Sequence, residues 1–148
     1  MSKYLKVLAV FMAMFMTTTV FAANHVINML DENSDGDIML FDPPFLKANV
    51  GDTVTFTAKH PGHNIISRLV PKGASDFKGD VSKNITVELN KEGVYLYECD
   101  LHVMLGMVGA IQVGKPTNLK EAKAKAEELK KKMAMSPERL DDYLSKIH

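Results

Sequence analysis

The stretch Tyr97–Met107, YECDLHVMLGM, sets a thiol, an imidazole and a thioether close together: Cys99, His102 three residues on, and Met107 five further. Cys99 is the only cysteine of the 148 residues, so no disulfide forms within one chain. A leftover thiol is then reactive, intermolecular or a metal ligand. Thiolate and thioether together are soft donors, which select copper over magnesium, calcium or manganese. A thiolate with two imidazoles and a weak axial methionine is the donor set of a one-electron copper site. That set needs a second histidine, and AKHPGHN supplies His63 in a Gly-His-Asn turn. Zinc would accept the same three strong ligands, although a thioether does not suit it. His25, His60, Met104 and His148 lack any comparable context and are read as structural or solvated residues.

These residues need a frame that brings a turn and a loop to one place. HVINML, TVTFTA, NITVEL, VYLYEC and MVGAIQVG are short runs rich in β-branched or aromatic residues. Gly51-Asp52, Pro71-Lys72-Gly73 and Lys91-Glu92-Gly93 punctuate them as turns. Many short strands with regular turns predict a mainly β chain, folded as an antiparallel sandwich or barrel. The Cys99 loop would then join two strands, and the His63 turn would follow a third.

The pattern changes after Lys115-Pro116. Asn118, with Glu121 three residues later, predicts a capping box opening a helix through LKEAKAKAEELKKKM. Ser136-Pro137 predicts a second start, with serine as the cap. Leu140, Tyr143, Leu144 and Ile147 recur at helical spacing and predict an apolar face packed on a sheet. The lysine-rich run of the first helix reads as a solvated face with ion pairs four residues apart.

The opening residues read as an export signal: a basic MSKYLK head, the apolar run VLAVFMAMFM, and a cleavage pattern ending at Ala22. Thr17, Thr18 and Thr19 interrupt the run before it reaches the roughly 20 residues of a membrane span. The expected organisation is a signal over 1–22, a β domain over 23–115, and a helical extension over 116–148 packed on it. Loss of Lys3 and Lys6 with the signal leaves 16 basic against 18 acidic residues. That balance carries no footprint for nucleic acid.

DENSDGDIMLFD, Asp31–Asp42, spaces its acidic and amide side chains much like a calcium-binding EF-hand loop. Such a loop needs a helix on each side, whereas HVINML precedes it and Pro43-Pro44 follow. It is read as a hairpin connection.

YECDLHVMLGM resembles the copper loop of cupredoxins, with Cys-x2-His-x4-Met spacing. Together with HVINML, VGDTVTF, GHN, GMVGAIQVG and the helical tail, the whole mature chain resembles the pseudoazurins. The resemblance implies a cupredoxin-type Greek-key sandwich with two C-terminal α-helices. It implies one copper held by His63, Cys99, His102 and Met107. It further implies that His102 lies nearest solvent, within an apolar electron port drawn from Met104, Leu105, Pro43 and Pro44, and that the Asn64 backbone N–H donates to the Cys99 sulfur. The implied activity is that of a monomeric periplasmic electron carrier rather than an enzyme. The implied partners are a nitrite reductase and a c-type cytochrome. A copper chaperone or storage protein is the alternative. This chain departs from the family in the loop, where Asp100-Leu101 stands for the common Thr-Pro. It also departs at the lysine ring around the port. Lys78 matches a ring position and Lys59 lies near the His63 turn, but Glu32 and Glu98 reverse the charge at two others.

Overall fold

The computed structural model describes residues 22–148; the export signal read over 1–22 lies outside the described residues except for Ala22. Among the described residues, eight strands form two four-stranded sheets. They are β1 Asn24–Glu32, β2 Ile38–Asp42, β3 Phe45–Ala48, β4 Thr53–Ala58, β5 Ile66–Leu69, β6 Ile85–Glu88, β7 Gly93–Glu98 and β8 Val108–Val113. One sheet has the order β2-β1-β4-β6 and the other β3-β8-β7-β5. Two helices follow, α1 Leu119–Lys130 and α2 Glu138–Ser145. The mainly β sandwich with two C-terminal helices agrees with the reading of the sequence. Three strands escaped that reading: β2, β3 and β5 are only four or five residues long. β6 is equally short, but its run NITVEL is richer in β-branched residues than IMLFD, FLKA or ISRL.

The sandwich is not purely antiparallel. β1 runs parallel to β4, with Met29 opposite Ala58, and β3 runs parallel to β8. The parallel β1–β4 pair delivers the last residues of β1 and the turn after β4 to the same end of the sandwich. Asp31 and the His60–Asn64 turn therefore meet there.

β7 organises the core because every residue in it is buried. Alternate side chains of a strand point to opposite faces. Tyr95, Tyr97 and then Cys99 join the cluster between the sheets, with Ile27, Met29, Phe56, Met107 and Ile111. Val94 and Leu96 join a second cluster, with Val108, Ala126, Leu129, Leu140 and Leu144, under the two helices. The Tyr97 ring meets Phe41 edge-on at 4.9 Å and Phe56 at 5.1 Å. Across the ladder, Gly109 makes room for it: a Cβ there would lie 2.4 Å from the tyrosine Cζ.

The helices stand where expected, but their start signals work differently. Asn118 makes no side-chain cap bond to α1. Its Oδ1 accepts from the Val94 N–H at 2.6 Å and its Nδ2 donates to the Val94 carbonyl at 3.0 Å. The amide thus docks onto β7 as a neighbouring strand would, and that use competes with capping. Ser136 makes no side-chain cap either, and Pro137 stands at the cap position of α2. The apolar face of α2 is as read, with Leu140, Tyr143, Leu144 and Ile147 buried. On α1 the pairs are Lys125–Glu128 and Glu127–Lys130, spaced by three residues rather than four. The acidic stretch is a hairpin turn between β1 and β2. Asn33 Oδ1 accepts the amides of Asp35 and Asp37 at 3.0 and 2.9 Å, and β2 starts at Ile38.

Asp52 ties the start of β1 to the turn before β4. It is buried, and its carboxylate accepts the amides of Asn49 and Ala23 and a bond from His25. The Asn49 amide first, then His25 and the Ala23 amide, lower its pKa from 3.8 to about 2. A lowered carboxylate stabilises the fold above its unfolded value and loses that contribution as pH falls through its folded value. The shift corresponds to about 2 kcal/mol, present above about pH 4 and gone near pH 2. Asp52→Asn should cost that amount at neutral pH and flatten the acid limb of stability, as read from denaturant melts between about pH 5 and pH 2.

Candidate metal centre

Cys99 directly follows β7 and Met107 directly precedes β8. Glu98 and Val108 are paired in the ladder, and the Cys99 N–H donates to the Met107 carbonyl at 3.0 Å. The loop between them is therefore closed at its base by two core strands. Within it, the amides of His102 and Met107 bond to the carbonyls of Cys99 and His102 at 3.1 and 3.2 Å. A short 3-10 turn covers Val103–Leu105. Gly106 ends that turn at φ 87°, where a side chain is strained. A Cβ at Gly106 would also lie 2.9 Å from the Met135 carbonyl.

The second histidine comes from the turn after β4. The Gly62 N–H donates to Ser82 Oγ at 2.9 Å, and the Ser82 N–H donates to the His63 carbonyl at 2.8 Å. Strapped in this way, the His63 ring points inward and is fully buried. Its Nδ1 faces His102 Nδ1 at 3.1 Å, and Cys99 Sγ lies 3.5 Å from that His102 nitrogen. Ligand atoms of His63, Cys99 and His102 all lie within 4.8 Å of one another. Cys99 and Met107 are fully buried in the same core cluster, while His102 is half-buried. The four residues singled out in the sequence are thus gathered at one end of the sandwich.

The electrostatics suit a bound cation. Burial pushes the Cys99 thiol up; the amides of Asn64, Leu101 and His102 act against it, and Asp100 adds to it. Left to itself the sulfur is a thiol at neutral pH, and a metal displaces its proton. Asn64 also uses its side chain, whose Oδ1 accepts from the Cys99 thiol at 3.4 Å and from the Asp100 N–H at 3.3 Å. Burial pushes His63 down, which keeps the imidazole neutral and able to donate a lone pair, while a bond to Asp31 acts in the opposite direction. A thiolate and two imidazoles within 4.8 Å, with the buried Met107 in the same core cluster as the cysteine, fit copper better than zinc or calcium.

Two residues stand apart from their sequence reading. Glu98 is 1% exposed and is not a surface charge. It points to the helix side of β7, where Arg68 Nη2 and Nε reach its Oε1 at 2.6 and 2.7 Å. Lys132 Nζ lies 3.6 Å from the same oxygen. Alternation along β7 explains the placement, since Cys99 faces one way and Glu98 the other. Arg139 was overlooked. From α2 its Nη1 donates to the carbonyls of Gly106 and Met39, both at 3.0 Å, and its Nη2 donates to the Ile38 carbonyl at 3.2 Å. Nothing in the sequence near Arg139 marks it as a partner of the ligand loop.

The architecture and the donor set define a copper-binding β-sandwich protein. The profile of the family described as copper binding proteins, plastocyanin/azurin family, matches residues 27–114. A pseudoazurin of Paracoccus pantotrophus is 34% identical over 131 residues, covering 86% of this chain and 86% of that protein. The crystal structure of native pseudoazurin from Hyphomicrobium denitrificans superposes with a TM-score of 0.73 at 34% identity, covering 84% of this chain and 98% of that one. Pseudoazurin from Methylobacterium extorquens AM1 gives a TM-score of 0.65 at 36% identity, covering 68% and 84%. The chain belongs to the pseudoazurins, within the plastocyanin/azurin family of copper-binding proteins.

Arg139 ties α2 to the ligand loop with three charge-assisted bonds. Arg139→Ala should lower unfolding free energy by about 2–3 kcal/mol, measured by chemical denaturation of the metal-free protein.

Proposed function

We propose that this chain is a periplasmic one-electron carrier holding a single type 1 copper through His63, Cys99, His102 and Met107. One observation carries the assignment: three strong donors from a turn and a strand-closing loop converge within 4.8 Å in a buried pocket. Copper would supply a Cu(I)/Cu(II) couple there. The chain's own work is to hold the donors still. Cys99 and Met107 sit at the base of a paired hairpin, and His63 is strapped by Ser82. Donors fixed in this way change little between oxidation states. His63, Cys99, His102 and Met107 would together hold the ion, and with no further ligand cluster among the described residues that would leave no strong position open for a substrate. That favours a carrier over an enzyme.

His102 is the exit for the electron in this reading. It is the ligand nearest solvent, and Leu101 and Met104 beside it are 55% and 62% exposed. Leu105 and Pro44 are half-buried and Pro43 is exposed. A small apolar port of this kind suits brief redox encounters, which bury little surface. Lys59 and Lys78 are exposed; Glu32 is the surface acid among the substituted ring positions, since Glu98 is internal and paired. Withdrawal of Glu98 removes one of the two acids that would oppose a basic rim and leaves Glu32 against Lys78. A nitrite reductase, with a c-type cytochrome as donor, is the partner set that the resemblance to pseudoazurins implies. Among the described residues no helix is long and apolar enough to cross a membrane. The signal-like opening supports work in the periplasm, with the β domain over 23–115 and the extension over 116–148 acting as one body.

The chaperone alternative needs exposed, exchangeable ligands. His63, Cys99 and Met107 are fully buried, which favours slow metal exchange and a carrier.

The oxidised copper protein should show an intense visible band, because a thiolate bound to Cu(II) absorbs strongly. Cys99→Ser should abolish it; a retained band would remove Cys99 from the centre. Met107→Leu should keep copper and raise the reduction potential, since loss of a weak axial donor destabilises Cu(II). An unchanged potential would deny Met107 the axial position.

A further inference from the structure

Asp31 is the carboxylate in direct contact with the candidate centre, and the electron-carrier reading makes no use of it. Its Oδ1 lies 2.9 Å from His63 Nε2. The His63 side chain is 0% exposed and that of Asp31 is 54% exposed, so the carboxylate connects a buried ring to solvent. Several bonds hold it there. The Asp31 N–H donates to His60 Nδ1 at 2.9 Å, and the His60 N–H donates to the Met29 carbonyl at 3.2 Å. The parallel β1–β4 pairing brings both segments side by side. Asp31 is not spent on the acidic turn that follows it, whose amides are met by Asn33.

An ionised carboxylate only accepts hydrogen bonds, so the facing Nε2 carries the proton. His63 Nδ1 then keeps its lone pair, and this is the atom that faces His102 Nδ1 at 3.1 Å. A carboxylate on the far nitrogen of a ligating imidazole fixes its tautomer and ring orientation and makes it a stronger donor. Stronger donation and nearby negative charge both favour the more highly charged metal state. Salt and water screen the exposed side of Asp31, so the ring is the more effective route.

We propose that Asp31 is a positioning residue of the centre: it holds His63 as the Nε2–H tautomer and, through that ring, lowers the copper reduction potential. This rests on His63 being a copper ligand. Asparagine can keep the acceptor without the charge, and alanine keeps neither.

The test uses the copper-loaded protein and its Asp31→Asn and Asp31→Ala variants, followed by spectroelectrochemistry. Asp31→Asn should retain the intense visible band, and at a fixed applied potential its Cu(II)/Cu(I) ratio should fall about tenfold. A tenfold change is about 59 mV for a one-electron couple. Asp31→Ala should shift the ratio the same way and hold copper about 10–100-fold more weakly. In the diamagnetic Cu(I) state, a slowly exchanging His63 Nε2–H resonance should be seen in the parent and in Asp31→Asn, and be lost in Asp31→Ala. An Asp31→Asn ratio within about twofold of the parent, with the band intact, would overturn the inference and leave the copper reading standing. A parent protein with no intense band would overturn both. Should Asp31→Ala fail to fold, Asp31→Asn alone decides, because it preserves the shape of the side chain.

Discussion

Burial of β7 on both faces is the constraint on which the other features rest. A strand between two apolar layers must send alternate residues to each. Tyr95 and Tyr97 fill the space between the sheets, while Val94 and Leu96 seat the helices. Cys99 continues the inward series, so the direction of the thiol is fixed by packing that begins four residues earlier. Met107 inherits its direction in the same way from β8, whose Ile111 and Val113 share the inner cluster. The close fit of Gly109 under Tyr97 pins the register between the two strands. A slip of one residue would turn the sulfur and the thioether away from the histidines.

The same alternation manages charge. A carboxylate beside a thiolate in sequence would oppose ionisation of the sulfur if both faced the same pocket. Here the sheet separates them, and Glu98 is matched by Arg68 on β5, with Lys132 nearby. The pairing of Ile66 with Glu98 brings Arg68 within reach from two residues along its strand. Asp31 is placed in the opposite manner: it touches a ligand ring directly, but from the solvent side. Two carboxylates near one centre thus act in different ways, one turned to the far face of the sheet and paired with a half-buried arginine, the other in contact with an imidazole.

How much of this is legible in the sequence depends on how local each feature is. Cys99, His102 and Met107 lie within nine residues, and their spacing alone suggests soft-metal chemistry. His63 is 36 residues from Cys99, and linking the two needed the requirement for a second imidazole together with the family resemblance. Features that depend on a distant partner were misread. Glu98 reads as a surface charge because Arg68 lies 30 residues away. Asn118 reads as a cap because its partner Val94 is 24 residues back. Asp31 reads as the first residue of a calcium-like loop, and only the parallel β1–β4 pair brings His63 beside it. Short β2, β3 and β5 carry few β-branched residues to mark them, yet their neighbours recruit them into sheets.

Arg139 lends the C-terminal extension a place in the metal-loop architecture. A guanidinium on α2 grips the carbonyl of Gly106, next to Met107, and two carbonyls of β2. The Ala134 and Met135 amides add bonds to the Met104 carbonyl at 2.9 and 3.1 Å. The loop thus has a rear wall as well as a hairpin base. Fluctuations that open it must also loosen α2, so the loop and the extension breathe as one cooperative unit. Movement of the thioether is then governed by the stability of a helix that contributes no ligand.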